Sequence, residues 1–363
     1  MDIIKKLKSK EHVDILAKRL NNEKLPKNVK IMEVCGTHTM SIARFGIRGL
    51  MPKEISLISG PGCPVCVTPN SIINLAISIS EIPGVVLTTF GDMMRIPGTK
   101  TSLEIKKADG ADIRVVYSAS DVLSMAQKES EKNFVFISVG FETTTPGTAL
   151  AILEAKRNKI KNVFFLLANR RIIPAMNALC QEKDTQIDGF LCPGHVSVII
   201  GADAYIPVSK NFKIPCVVTG FEPVEILMGI TKIINQIKEK RFEVENVYER
   251  VVLNEGNTKA IDVINSVFEP TDANWRGLGV IPDSGLKFKS QFEEYDATKK
   301  FGLSETYISD IPGCQCGNVL KGIKIPPECE LFGKACKPEK PIGPCMVSSE
   351  GACAAYYNYE SVL

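Results

Sequence analysis

The segment ISLISGPGCPVCVTPNSIINLAISISEI, Ile55 to Ile82, carries the deciding pattern of this 363-residue chain. A short apolar run enters a turn of glycine, proline and cysteine, and a helical stretch follows. The same alternation extends outward on both sides. Besides Ile55–Ser59, strands are expected at Lys30–Val34, Val85–Phe90, Ile113–Tyr117, Phe134–Val139, Val163–Ala168, Gly189–Leu191 and Cys216–Thr219. Helical stretches lie between them at Ser71–Ile82, Asp121–Lys132, Gly147–Asn158, Pro174–Glu182 and Pro223–Lys240. Strands alternating with helices of this length imply βαβ units and parallel sheets covered on both faces. The expected class is α/β: two Rossmann-like domains with parallel sheets, followed by an irregular cysteine-rich part. The chain then divides into an N-terminal helix (1–28) packing on the C-terminal part, a first α/β domain (29–120), a second (121–240), and the cysteine-organised remainder (241–363). Gly140-Phe141-Glu142 and Gly220-Phe221-Glu222 each follow an apolar strand and precede a proline, a thin echo of an internal repeat.

Composition narrows the function classes. Apolar residues make up 44% and charged residues 23%, which excludes a mainly disordered chain. The net charge of +3 gives no reason to expect nucleic acid or an anionic membrane as the main partner. No stretch is long and apolar enough for a transmembrane helix, and the mixed charges of MDIIKKLKSKEHVDILAKRL do not resemble a signal peptide. A soluble, cytoplasmic protein is expected. Of twelve cysteines, six (Cys314, Cys316, Cys329, Cys336, Cys345, Cys353) fall in the last 50 residues. In a reducing compartment such a cluster points to metal or redox chemistry rather than structural disulfides. With only His12, His38 and His195 available, any metal chemistry must be mostly thiolate chemistry.

The unusual motifs sit where strands end, which is where open α/β sheets bind ligands. Cys35-Gly36-Thr37-His38, Gly60 to Cys66, GDMMRIPG from Gly91, GFETTTPGT from Gly140, CPGHVS from Cys192 and TGFEP from Thr219 all have this placement, suggesting one shared cleft. Cys63-Pro64-Val65-Cys66 opens a helix, where the first thiol is favoured as thiolate. The pair could cycle as a disulfide, bind a soft metal, or simply pack in a turn. Cys35 with His38 could be nucleophile and base, two metal ligands, or a buried cysteine beside a capping threonine. His195 reads as an ordered turn histidine, and Cys180 and Cys216 as core. Glu142 and Glu222 divide evenly between functional carboxylates and loop structure. Thr143-Thr144-Thr145 could cap a helix or bind an anion, but neither a P-loop nor a dinucleotide fingerprint is present. The tail cysteines lack the paired C-x2-C knuckles of a zinc ribbon, and their wide spacing suits an iron–sulfur cluster better, with zinc or no metal as alternatives.

Taken together, CGTH, GPGCPVCVTP, GDMMRIPG, GFETTTPGTA, CPGHVSVIIG and CELFGKACKPEKPIGPCMVSSEGACAAYY resemble the HypD family of nickel–iron hydrogenase maturation factors, in order from Ile31 to Tyr357. The resemblance implies two α/β domains plus a part holding a 4Fe–4S cluster, and a scaffold on which iron acquires cyanide and carbon monoxide ligands. It further implies a HypC-type chaperone as partner, cyanide delivered by HypE and made with HypF, and a hydrogenase large subunit served indirectly. The family's functional cysteines fall on Cys35, Cys63 and Cys66, as iron-holding and thiol-redox residues, with His38 in the CGTH motif. Its cluster ligands fall on Cys314, Cys329, Cys336 and Cys353, leaving Cys316 and Cys345 as extras. An iron–sulfur thiol–disulfide oxidoreductase resembling ferredoxin–thioredoxin reductase explains the C-x-x-C and the tail but leaves CGTH idle. A zinc-stabilised binding module is a third reading.

Overall fold

The computed structural model describes residues 2–25, 28–306 and 311–360. Its strands are β1 (Val29–Glu33), β2 (Ile55–Ser59), β3 (Val85–Thr89), β4 (Ile113–Val115), β5 (Asn133–Gly140), β6 (Val163–Asn169), β7 (Gly189–Pro193), β8 (Cys216–Thr219), β9 (Val244–Asn246), β10 (Phe268–Trp275) and β11 (Gly279–Phe288). All eight strands expected from the sequence are present, with ends shifted by a residue or two. With β9, which was not expected, they form two wholly parallel sheets, ordered β2-β1-β7-β8-β9 and β4-β3-β5-β6. Parallel neighbours need long crossovers, and the intervening helices supply them. The continuous apolar run Phe134-Val135-Phe136-Ile137 is what a strand buried on both faces requires, and all four side chains are buried.

The division expected at residue 120 is corrected by the pairing. β3 and β4, which precede that point, pair with β5, which follows it. The first sheet is assembled from two separated pieces of chain, 29–59 and 189–246, and the second sheet is inserted between them. The join is β1 against β7, where Ile31 aligns with Gly189. The Asp188 carboxylate accepts the Lys30 backbone N–H at 2.8 Å, which fixes this register from the side. Gly189 is needed there because a Cβ would stand 2.3 Å from Cγ2 of Ile233 on the helix Pro223–Glu239.

The N-terminal helix also lies elsewhere than expected. Lys10–Asn21 packs on Pro223–Glu239, with Leu20 in one core with Ile226, Leu227 and Ile230, rather than on the C-terminal part. Ion pairs Lys238–Glu23 and Lys8–Glu222 (3.4 Å) run beside this contact.

Beyond residue 241 the chain is more regular than its turn-rich sequence suggests. The helix Thr258–Val267 leads into the antiparallel hairpin β10–β11, whose pattern is masked by Pro270, Pro282 and Gly285. This hairpin covers the exposed edge of β6, with Arg171 N–H donating to the Ser284 carbonyl at 2.8 Å. The cysteine-rich remainder is built of short turns and the helices Cys316–Leu320 and Ala352–Tyr359. The latter lies on the helix Gly36–Arg44. No helix among the described residues is long and apolar enough to cross a membrane.

The second sheet's core makes a direct prediction. Phe165 is fully buried and edge-on to Phe136, with ring centroids 6.2 Å apart, whereas Leu150 on the helix Thr145–Arg157 is 53% exposed. Phe165→Ala should cost about 3–5 kcal/mol in urea denaturation. Leu150→Ala should stay within about 0.5 kcal/mol of the parent chain.

Candidate functional site

The carboxyl ends of both sheets face a common cavity of about 570 Å³. The first sheet contributes Cys35 and Thr37 after β1, Gly62, Pro64 and Val65 after β2, and His195 after β7. From the second come Asp92 after β3, Tyr117 after β4, and Thr143 and Thr144 after β5. Ser348 and Glu350 of the C-terminal part close one side. Side-chain contacts hold this closure: Thr37 Oγ1 donates to Glu350 Oε1 (2.6 Å), and Ser348 Oγ donates to Asp92 Oδ2 (2.9 Å).

Cys35 is the N-cap residue of the helix Gly36–Arg44, and the backbone N–H groups of Thr37 and His38 reach its sulfur. Burial and the neighbouring Glu350 carboxylate outweigh those donors and push the thiol up to about 12. Below it, burial raises Glu33 to about 7, against hydrogen bonds from Thr39 Oγ1 (2.6 Å) and the Cys35 N–H (3.3 Å). The loop after β2 is pressed onto Cys35: a Cβ at Gly62 would lie 2.2 Å from the Cys35 nitrogen, and Gly36 N–H donates to the Gly62 carbonyl at 3.2 Å. Adjacent pairing of β1 and β2 therefore sets Cys35 and Cys63 on touching loops.

Cys63 caps the helix Pro64–Val67, its sulfur accepting the Cys66 N–H at 3.2 Å. Neither Cys63 nor Cys66 lines the large cavity; both are buried behind it. Burial first, then the sulfurs of Cys345 and Cys63, push the Cys66 thiol well up. Cys345, fully buried, touches Cys66 on one side and Cys316 and Cys353 on the other, and these neighbours pull its own thiol down. Cys314, Cys316, Cys329, Cys336 and Cys353 then line one small pocket with Leu331, Phe332 and Met346. Cys314 and Cys316 sulfurs stand 3.3 Å apart, and the Ile342 N–H donates to Cys336 Sγ at 3.3 Å. The sulfurs thus form a continuous run from the C-x-x-C to the tail pocket. Such a run can carry thiol–disulfide exchange, and the pocket offers sulfur donors with no histidine or carboxylate among its lining residues. Among the described residues, no group of three or more His, Cys, Asp or Glu is set to hold a metal ion as it stands.

His38 is kept out of the cavity. It is fully buried, with Nε2 2.9 Å from both the Gly220 carbonyl oxygen and Thr219 Oγ1, and burial lowers it to about 4. A carbonyl only accepts, so Nε2 carries the proton and the neutral ring ties the loop after β8 to the helix after Cys35. His38 leans on Phe221 (4.9 Å between ring centroids), which in turn leans on His195 (4.1 Å). His195, read from sequence only as a turn residue, is the histidine that lines the cavity. Its position at the end of β7 was the signal for it. Glu350 had no such signal, because it reaches the cavity from a turn 313 residues beyond its partner Thr37. Glu142 and Glu222 both have structural contacts: Glu142 Oε1 accepts the Ile172 N–H at 3.0 Å, and Glu222 is the N-cap of Pro223–Glu239.

Arg276, at the turn between β10 and β11, had no place in the sequence reading. It is 4% exposed, donates from its backbone N–H to the Val67 carbonyl and from Nε to the Thr68 carbonyl, both at 2.9 Å, and its second terminal nitrogen, Nη2, has no partner.

Comparison with known proteins agrees across nearly the whole chain. The HypD family model, described as "Hydrogenase formation hypA family", matches residues 11–360. A hydrogenase maturation factor HypD2 from Bradyrhizobium diazoefficiens is 44% identical over 95% of this chain and 93% of its own. The Escherichia coli maturation factor HypD is 44% identical over 91% of this chain and 89% of its own. A putative hydrogenase expression/formation protein from Methanocaldococcus jannaschii is 42% identical over 94% of each chain.

Burial raises the Glu142 carboxyl from 4.5 to about 7. Its folded form therefore holds the proton that the unfolded chain releases near pH 4.5, and stability present below that pH is lost as pH rises through 7. Relative to Glu142→Gln, the parent chain should lose about 3 kcal/mol between pH 4 and pH 8. Urea titrations of both proteins across that range check it.

Proposed function

The chain belongs to the HypD family of hydrogenase maturation factors, and from that premise we propose that it is the scaffold on which the Fe(CN)2CO moiety of nickel–iron hydrogenase is assembled. The observation that carries this reading is Cys35 in the cavity, on a loop that touches the one bearing the C-x-x-C, and a run of sulfur contacts leading from the C-x-x-C to the tail pocket. Iron carrying cyanide and carbon monoxide is the cargo. A soft, strong-field iron suits thiolate anchors, so Cys35, Cys63 and Cys66 are the residues to hold it. The Cys35 thiol, at about 12, is protonated until a cation arrives, so loading releases a proton into the cavity. His195 and Glu350 line that cavity and are placed to receive it.

Cys63 and Cys66 cycle between disulfide and dithiol, each reduction taking up two electrons and two protons. Cys314, Cys329, Cys336 and Cys353 fit a 4Fe–4S cluster by the chemistry of the donor set: converging sulfurs in an otherwise apolar pocket. When bound there, such a cluster supplies single electrons. Cys316 and Cys345 stand in contact with each other and, through Cys345, with Cys66, which fits a second thiol pair between the two ends. The cavity mouth is where a HypC-type chaperone would hold the cargo and where HypE, supplied by HypF, would deliver cyanide; the hydrogenase large subunit is served indirectly. A stand-alone disulfide reductase would use the same sulfur run but would give Cys35 and its cavity no work.

Protein purified without oxygen tests the proposal. The parent chain should show infrared bands of cyanide and carbon monoxide, with about four irons and four labile sulfides for the tail cluster. Cys63→Ala should lose the infrared bands and keep the sulfide. Unchanged bands in that variant, or a colourless zinc-loaded parent protein, would overturn it. Cys345→Ser should keep iron and sulfide yet leave the Cys63–Cys66 disulfide unreduced, as read by differential thiol labelling.

A further inference from the structure

One buried cation has no ion pair among the described residues. Arg276 is almost wholly enclosed, forms no ion pair among the described residues, and leaves the nitrogen Nη2 without any hydrogen bond. A guanidinium costs several kcal/mol to bury unless charge nearby compensates it. Its hydrogen bonds to the carbonyls of Val67 and Thr68 fix its backbone and Nε to the far end of the C-x-x-C helix. They do not neutralise it.

The turn that carries Arg276 is held against the cysteine-lined pocket. Gly277 has φ +73°, and a Cβ there would stand 2.2 Å from Cα of Gly317, the residue after Cys316. Two glycines in backbone contact thus bring the hairpin tip to the helix Cys316–Leu320 as closely as backbones allow. Trp275, beside it, is locked by its indole N–H on Ser284 Oγ at 2.7 Å, so the tip has little freedom. Arg276, the residue before Gly277, therefore carries its positive charge beside the helix that begins at Cys316.

We infer that Arg276 is a positioning residue that raises the reduction potential of the sulfur-lined pocket. Its charge is fixed between that pocket and the C-x-x-C. The inference rests on the proposal that the pocket holds an iron–sulfur cluster. Coulomb attraction to a fixed positive charge grows with the negative charge of its partner, so the reduced state gains more than the oxidised one. In a pocket lined by Leu331, Phe332 and Met346, water screens this little. One residue thereby couples the two ends of the sulfur run, gripping the C-x-x-C helix by its carbonyls and tuning the pocket by its charge.

The test is a potentiometric titration of full-length protein purified without oxygen, followed by visible absorption and electron paramagnetic resonance. Arg276→Gln should move the midpoint to more negative potential at unchanged iron and sulfide content, while Arg276→Lys should stay near the parent value. An unmoved midpoint in a fully loaded Arg276→Gln, or a lysine variant shifted as far as the glutamine one, overturns the inference. If the glutamine chain does not fold, Arg276→Met takes its place. If neither neutral variant loads, a lysine variant loaded at the parent potential supports the charge, and one that also fails to load assigns Arg276 a purely structural role. A parent protein without iron and sulfide would instead remove the cluster reading itself.

Discussion

Everything at the functional end depends on β1 lying inside its sheet, between β2 and β7. With β2 on one side and β7 on the other, three loops that are far apart in sequence must emerge side by side: Cys35 after β1, Gly62–Cys63 after β2, and His195 after β7. The register is pinned by Ile31 opposite Gly189 and by the Asp188 carboxylate on the Lys30 amide. A one-residue slip would turn alternate side chains to the wrong face and carry Cys35 away from the loop that presses on it. The second sheet, inserted between β2 and β7, then has its own strand ends directed at the same space.

Burial decides the chemistry as much as proximity does. In water Cys35 and Cys66 would be ordinary thiols; enclosed, both are held in the protonated form. The exception is Cys345, toward which neighbouring sulfurs turn their protons. The same exclusion of water makes His38 a neutral tie between two loops, and leaves Arg276 a buried cation with no ion pair among the described residues. Sulfur, histidine and arginine therefore take different roles from the ones their sequence neighbours suggest.

Parallel strands announce themselves, since runs such as Phe134–Ile137 have to be apolar on both faces, and the loops that bear Cys35, Cys63 and His195 could be placed from them. What periodicity cannot convey is which strand pairs with which across a long separation. The boundary expected at residue 120 failed for that reason, as did the seat of the N-terminal helix, whose apolar face fits any apolar partner. β10 and β11 were hidden because prolines sit at positions where an edge hairpin tolerates them. His38 and His195 exchanged prominence because a motif shows adjacency in sequence, whereas access to the cavity depends on which way the helix after Cys35 turns. The cysteines were conspicuous by number, but the bridging place of Cys345 is purely a matter of three dimensions.

The contact between Thr37 and Glu350 has a consequence for timing. The two residues are 313 positions apart, and the wall that Glu350 and Ser348 provide is the last part of the cavity to leave the ribosome. Synthesis proceeds at about 5–20 residues per second, so Cys35 waits on the order of half a minute before its cavity can close. Throughout that interval β1 lacks β7 and the C-x-x-C lacks Cys345. A nascent chain therefore exposes these thiols singly, and the enclosed cavity with its run of sulfurs arrives all at once, when the final turn docks.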